Sequence, residues 1–159
     1  MDQLVAQIIL QLQQELDTAI AASQQAHASA TDRENIAENK YDTLATEAAY
    51  LAHGQSMRIA ELQQAILSYQ HFKPASFNDS SPIAIGALVT IENQNSGEIK
   101  HVYLGPAAGG LALIRDNNPV RLITKETPLA KALLGKRVDD ELVLSISGEK
   151  QVFDIIQVS

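Results

Sequence analysis

Four carboxylates crowd into one short stretch, ATDRENIAENKYDT at residues 30–43, as Asp32, Glu34, Glu38 and Asp42. Glu-Asn occurs there twice, and Ile36 is the one large aliphatic side chain. Acids at that density suit a hard divalent cation. Magnesium takes a few carboxylate oxygens and keeps several waters, and two such ions about 4 Å apart can activate a water and stabilise a leaving oxygen. The same acids also suit a helix N-terminus, where a carboxylate is favoured by about 0.3–1 kcal/mol.

Other chemistry is harder to find. His27, His53, His71 and His101 have no metal-ligand spacing. GPAAGG at 105–110 lacks the strand-glycine-helix setting and the lysine of a phosphate loop, and reads as a hairpin turn. No nucleophile-base pair stands out, so a free-standing enzyme is not expected.

The acids sit within a helical region. Val5, Ile9, Leu12, Leu16 and Ala19 recur by threes and fours, flanked by Leu4, Ile8 and Ile20; a second series runs Tyr41, Leu44, Ala48, Leu51, Gln55, Ile59, Leu62, Ile66, Tyr69. Two such series predict an antiparallel coiled-coil hairpin over 1–72. Thr31-Asp32-Arg33-Glu34 has the form of a capping box opening the second helix, which puts the break near residues 29–31. Toward that bend the seam thins to alanines, including Ala26, a slender end that buries little area. Tyr41, Tyr50 and Tyr69 on the second helix are assigned to core packing.

FKPASFNDSSP interrupts both periodicities and marks a linker, taken as 73–82. Beyond it, 83–159 alternates in short apolar runs: ALVTI, KHVYLG, LALIRD, VRLIT, ELVLSIS and QVFDIIQV, separated by turn residues. PLAKALLGK supplies one short helix, with Pro128 for its first turn and Gly135 for its end. The expected class is α+β: a helical hairpin followed by a small antiparallel β domain.

Charge separates the two parts. The net charge is −7, of which residues 1–71 carry −6 and the remainder −1. An acidic hairpin repels bare nucleic acid and suits a cation or a basic protein channel. Cysteine is absent, and no 18-residue apolar run or basic-then-apolar leader occurs, so an intracellular, non-membrane protein is the expectation.

ITKETPLAKALLGKRVDDELVL at 123–144 resembles the signature of the Gre family of bacterial transcript-cleavage factors, and VYLGP at 102–106 is similar to a strand of the same family. The resemblance spans the chain in order and implies an FKBP-like C-terminal domain. It further implies that the coiled coil enters the secondary channel of RNA polymerase, while the globular domain holds the rim. On that resemblance Asp32, Glu34 and Glu38 assist catalysis at the tip. Asp32 and Glu38 would help hold Mg2+ shared with the polymerase active centre, and the factor needs no cofactor of its own. Glu34-Asn35 and Glu38-Asn39 both match the family's Glu-Asn, so the choice between them stays open. Glu126, Thr127 and Pro128 match positions that touch the polymerase, although Thr127 with Pro128 also reads as a helix start. The expected partner is bacterial RNA polymerase, with indirect contact to RNA and DNA, for a cytoplasmic monomer. Two other readings are a Gre-like regulator that occupies the channel without stimulating cleavage and, on fold analogy alone, a prolyl isomerase or chaperone.

Overall fold

No glycine precedes Gly54 and no proline precedes Pro74, so nothing in the early chain stops a helix. In the computed structural model, which describes residues 3–34, 42–146 and 148–159, α1 accordingly spans Gln3–Glu34 and α2 spans Asp42–His71. Residues 31–34 therefore form the last turn of α1 and not a capping box at the start of α2. The physical reason lies just upstream, in Ala26-His27-Ala28-Ser29-Ala30, which contains helix formers and no breaker.

The remaining elements are β1 (Leu88–Asn93), β2 (Ile99–Leu104), β3 (Ala112–Arg115), β4 (Asn118–Ile123), α3 (Pro128–Leu133), β5 (Glu141–Ile146) and β6 (Glu149–Val158). They build one six-stranded sheet in the order β3-β4-β2-β1-β6-β5. All neighbouring strands run antiparallel except β2 and β4, which pair in parallel through His101 to Val120 and Leu104 to Ile123. The sheet is thus mixed. GPAAGG is consequently no hairpin turn, because it leads from β2 past β4 to the outer strand β3.

Each face of this sheet buries side chains. Val89, Ile91, Val102, Leu104, Phe153 and Ile155 share one core with Ala130 and Leu133 of α3. The register places Tyr103 beside Leu122 and Leu113 beside Val120 on the opposite face, and all four are buried. That second face is the reason the helix ends do not belong to the hairpin alone. The chain divides into two compact units, one of residues 1–8 with 68–159 and one of residues 9–67. Leu4, Val5, Ile8 and Tyr69, read from the sequence as seam or flank positions of a coiled coil, are buried within the sheet-bearing unit.

Residues 73–82 contain no helix or strand, yet they are held and do not dangle. Phe77 packs against the core, Asn78 Oδ1 accepts from the Ser80 N–H at 3.0 Å, and the Arg137 guanidinium donates to the Ser80 carbonyl. Just beyond, Ile83 exchanges backbone hydrogen bonds with Lys136 and Gly135, each 2.8 Å.

In the unit of residues 9–67, Leu12 and Leu62 are buried, and Arg58 of α2 meets Glu15 of α1 at 2.6 Å. A contact between positions that far apart requires the chain to double back, so the two helices form a hairpin. Along α2 the inward stripe is Ala52, Gln55, Ile59, Leu62 and Ile66. Leu51, expected on the seam, is 68% exposed, and Tyr50, expected in the core, is 74% exposed. The stripe drifts by one position because heptad steps of three and four permit either residue, and the smaller Ala52 takes the inner place. On α1, Ala26 is exposed as well.

Candidate functional site at the hairpin bend and the β-domain turn

Two groups of residues were expected to act, and the structure places them in different units. Asp32 and Glu34 lie on the final turn of α1, and Asp42 opens α2. Glu38 falls outside the described residues. The acids thus flank the reversal between two helices of 32 and 30 residues. Glu34 lies about 28 Å along α1 from the Glu15–Arg58 ion pair, at roughly 1.5 Å per residue.

The second group is built on a tight turn between β4 and α3. The Thr127 N–H donates to the Thr124 carbonyl at 2.9 Å, and the Thr127 hydroxyl donates to the same oxygen at 2.9 Å. That hydroxyl also accepts from the Ala130 N–H at 3.2 Å, so Thr127 is the N-cap of α3 with extended backbone angles (φ −70°, ψ 145°). Pro128 follows in the first turn, where its missing N–H costs nothing. The expected helix start is therefore present at these residues.

Glu126 precedes the cap and is exposed. The Thr124 hydroxyl, followed by Glu126's own backbone N–H, holds its carboxylate below the usual range, and Lys125 and Lys131 add to the effect. The turn therefore presents a fixed negative charge beside a rigid helix start. It can accept hydrogen bonds or a cationic side chain. It offers no nucleophile.

Sequence reasoning missed Thr124 as the residue that orients this turn. A Thr three residues before the N-cap is too common a pattern to single out. It also missed Gly105. A Cβ there would lie 2.1 Å from Tyr69 Oη and 2.6 Å from Leu122 Cδ1, so glycine is required by the close approach of α2 to β2. Tyr69 Oη donates to the Ala107 carbonyl at 2.8 Å across that contact.

Among the described residues no group of three or more His, Cys, Asp or Glu is arranged to hold a metal ion. Of the four histidines, His27, His53 and His71 are exposed, and His101 Nδ1 lies 3.0 Å from Thr90 Oγ1. No described helix is long and apolar enough to cross a membrane.

A family model described as "Transcription elongation factor, GreA/GreB, C-term" matches residues 78–159. Over 135 residues the chain is 27% identical to transcription elongation factor GreA of Halorhodospira halophila, covering 84% of this chain and 79% of that protein. It is also 27% identical over 153 residues to GreA of Pasteurella multocida, covering 93% and 90%. Among solved structures, Gfh1 of Thermus aquaticus aligns over 93% of this chain and 91% of its own, at 22% identity and a TM-score of 0.40. The matched stretch contains every strand of the sheet and α3, more than half of the chain. The chain belongs to the GreA/GreB family of transcription elongation factors.

Proposed function

We propose that this chain acts on bacterial RNA polymerase by placing its helical hairpin, as an antiparallel coiled coil, in the secondary channel and stimulating cleavage of backtracked RNA. The observation that carries this reading is the position of the acids. Asp32, Glu34 and Asp42 flank the point where two long helices reverse, which is the part of a hairpin that arrives first in a channel. Glu38 lies between them in sequence. Carboxylates suit Mg2+, a hard cation that accepts one or two protein oxygens while keeping water. When bound at the polymerase active centre, Mg2+ supplies an activated water and charge stabilisation for phosphodiester hydrolysis. This chain's part is to deliver Asp32 and Glu38 as ligands, with Glu34 the alternative Glu-Asn position.

In the same reading the FKBP-like domain, 83–159, engages the channel rim through Glu126, Thr127 and Pro128. Thr127 and Pro128 fix the helix start, and Glu126 presents a carboxylate kept ionised by its neighbours. The factor works as a cytoplasmic monomer without a cofactor of its own. The test is addition of purified protein to backtracked elongation complexes with magnesium: shortening of the RNA from its 3′ end supports the proposal, and intact RNA with bound factor refutes cleavage.

One observation favours a second reading, channel occupancy without cleavage. The hairpin has three bases, and Arg58 is engaged by Glu15 at 2.6 Å and Glu61 at 3.8 Å. Its charge is thereby spent within the chain, which leaves little to steady an RNA strand. An abortive-initiation assay separates the two, since a plug lowers product yield without shortening transcripts. The isomerase reading loses ground, because the aromatics of the sheet domain, Tyr103 and Phe153, are both buried.

A further inference from the structure

Between Tyr50 and Met57 the surface of α2 exposes large apolar side chains where a solvated helix would be polar. Tyr50, Gly54 and Met57 follow at steps of four and three, which puts them on one stripe, and Tyr50 and Met57 are 74% and 53% exposed. Leu51 and Arg58 form the shoulder, and Tyr50, Leu51, Gly54, Gln55 and Arg58 line one open trough. Gly54 is the notch in this face. Glycine weakens a helix interior relative to alanine, yet a Cβ at Gly54 would meet nothing within 4 Å. Packing within the described residues therefore gives no reason for glycine, whereas close approach from outside does. At the trough, Gln55 Oε1 is buried and accepts no hydrogen bond among the described residues.

Charge decides what covers the face. Residues 9–67 carry eight acids against three bases, a net −5, and Arg58 is already paired with Glu15 and Glu61. A second copy would set −5 against −5, and a nucleic acid would add phosphates to the same field. An apolar contact on a unit of net negative charge is complemented by an apolar side chain ringed with lysine or arginine. The geometry points to Tyr50, Leu51, Gly54 and Met57 as a docking face for a basic-rimmed protein helix, one of whose apolar side chains seats in the Gly54 notch. Resting on the channel reading above, that helix belongs to the polymerase channel wall.

The test measures binding of the full chain to RNA polymerase core enzyme. Gly54→Leu, which fills the notch, and Tyr50→Ser, which removes its wall, each weaken binding about tenfold or more, the size of effect a central interface contact carries. Gly54→Ala weakens it less but raises Tm, because alanine favours the helix; opposite signs in the two readouts exclude simple misfolding. The exposed Gln63→Ala changes neither. Unchanged binding by the Gly54 and Tyr50 variants overturns the docking face and leaves the channel reading standing. A wild-type dimer in sedimentation that Gly54→Leu abolishes assigns the face to a second copy and overturns the inference. No polymerase binding by the wild type overturns both.

Discussion

Gln7 pairs its side-chain amide with the backbone of Ile114, Nε2 donating to the carbonyl at 2.8 Å and Oε1 accepting from the N–H at 3.1 Å. Ile114 lies on β3, the outermost strand, opposite Pro119. An edge strand exposes unpaired backbone groups that invite other chains, and here one glutamine from the first turns of α1 satisfies both groups at the centre of the strand.

Gln7→Ala should therefore cost about 1–2 kcal/mol in urea unfolding, the loss expected for two partly exposed hydrogen bonds. It should also raise the aggregation rate, since Ile114 is 61% exposed on the freed edge. Gln7→Glu should do no better at neutral pH, because a carboxylate cannot donate to the Ile114 carbonyl. Wild-type stability in either variant would contradict this account of the edge.

The Tyr69–Gly105 approach predicts coupling. Gly105→Ala should destabilise by about 1–3 kcal/mol through overpacking, and Tyr69→Phe by about 1 kcal/mol through loss of the hydrogen bond to Ala107. Removing the hydroxyl also removes the nearest clash, at 2.1 Å, although Leu122 Cδ1 at 2.6 Å stays. In a double-mutant cycle the penalty of Gly105→Ala should thus shrink by about 0.5 kcal/mol or more when Tyr69→Phe is already present. Strict additivity would show that the two residues do not meet.

Tyr69 also sets an alkaline limit. Burial, with Tyr103 nearby, raises its pKa above the ordinary tyrosine value. A folded-state pKa above the unfolded one leaves stability intact below about pH 10, where both states are protonated. As pH rises further the unfolded chain ionises first, and stability falls. Urea midpoints between about pH 9 and about pH 11 should decline less steeply in Tyr69→Phe than in wild type. Parallel declines would place the alkaline loss elsewhere.

At the β-domain turn, stability and binding should separate. Thr127→Ala removes the N-cap and should cost about 1 kcal/mol, whereas Thr127→Ser should keep most of it. Glu126→Ala touches no buried group and should leave the unfolding midpoint in place, while weakening polymerase binding in a pull-down. Full binding by Glu126→Ala would remove Glu126 from the proposed rim contact.

Much of the fold can be read from local pattern. All six strands and α3 fall where alternation and Pro128 place them, because half-buried strands and capped helices are encoded by neighbours in sequence. The parallel pairing of β2 with β4 cannot be read so, since it depends on β3 being displaced to the edge. The bend was misplaced because Thr31–Glu34 has the composition of a capping box, and composition cannot say whether the preceding helix has ended. Leu51 and Ala52 exchange roles because steps of three and four permit either, so that hydrophobicity alone favours the leucine while the smaller alanine takes the inner place. The proposed rim contact is legible at Thr127 and Pro128, which are also structural, and illegible at Thr124, whose part in the turn emerges only from its hydrogen bonds to Thr127.

The most direct measurement is RNA cleavage in backtracked elongation complexes with magnesium, comparing wild type with Asp32→Ala, Glu34→Ala and Glu38→Ala, each checked for polymerase binding. The account predicts 3′ shortening by the wild type and its loss in Asp32→Ala and in at least one glutamate variant, with binding retained. Undiminished cleavage by all three variants, or intact RNA with bound wild type, would contradict it.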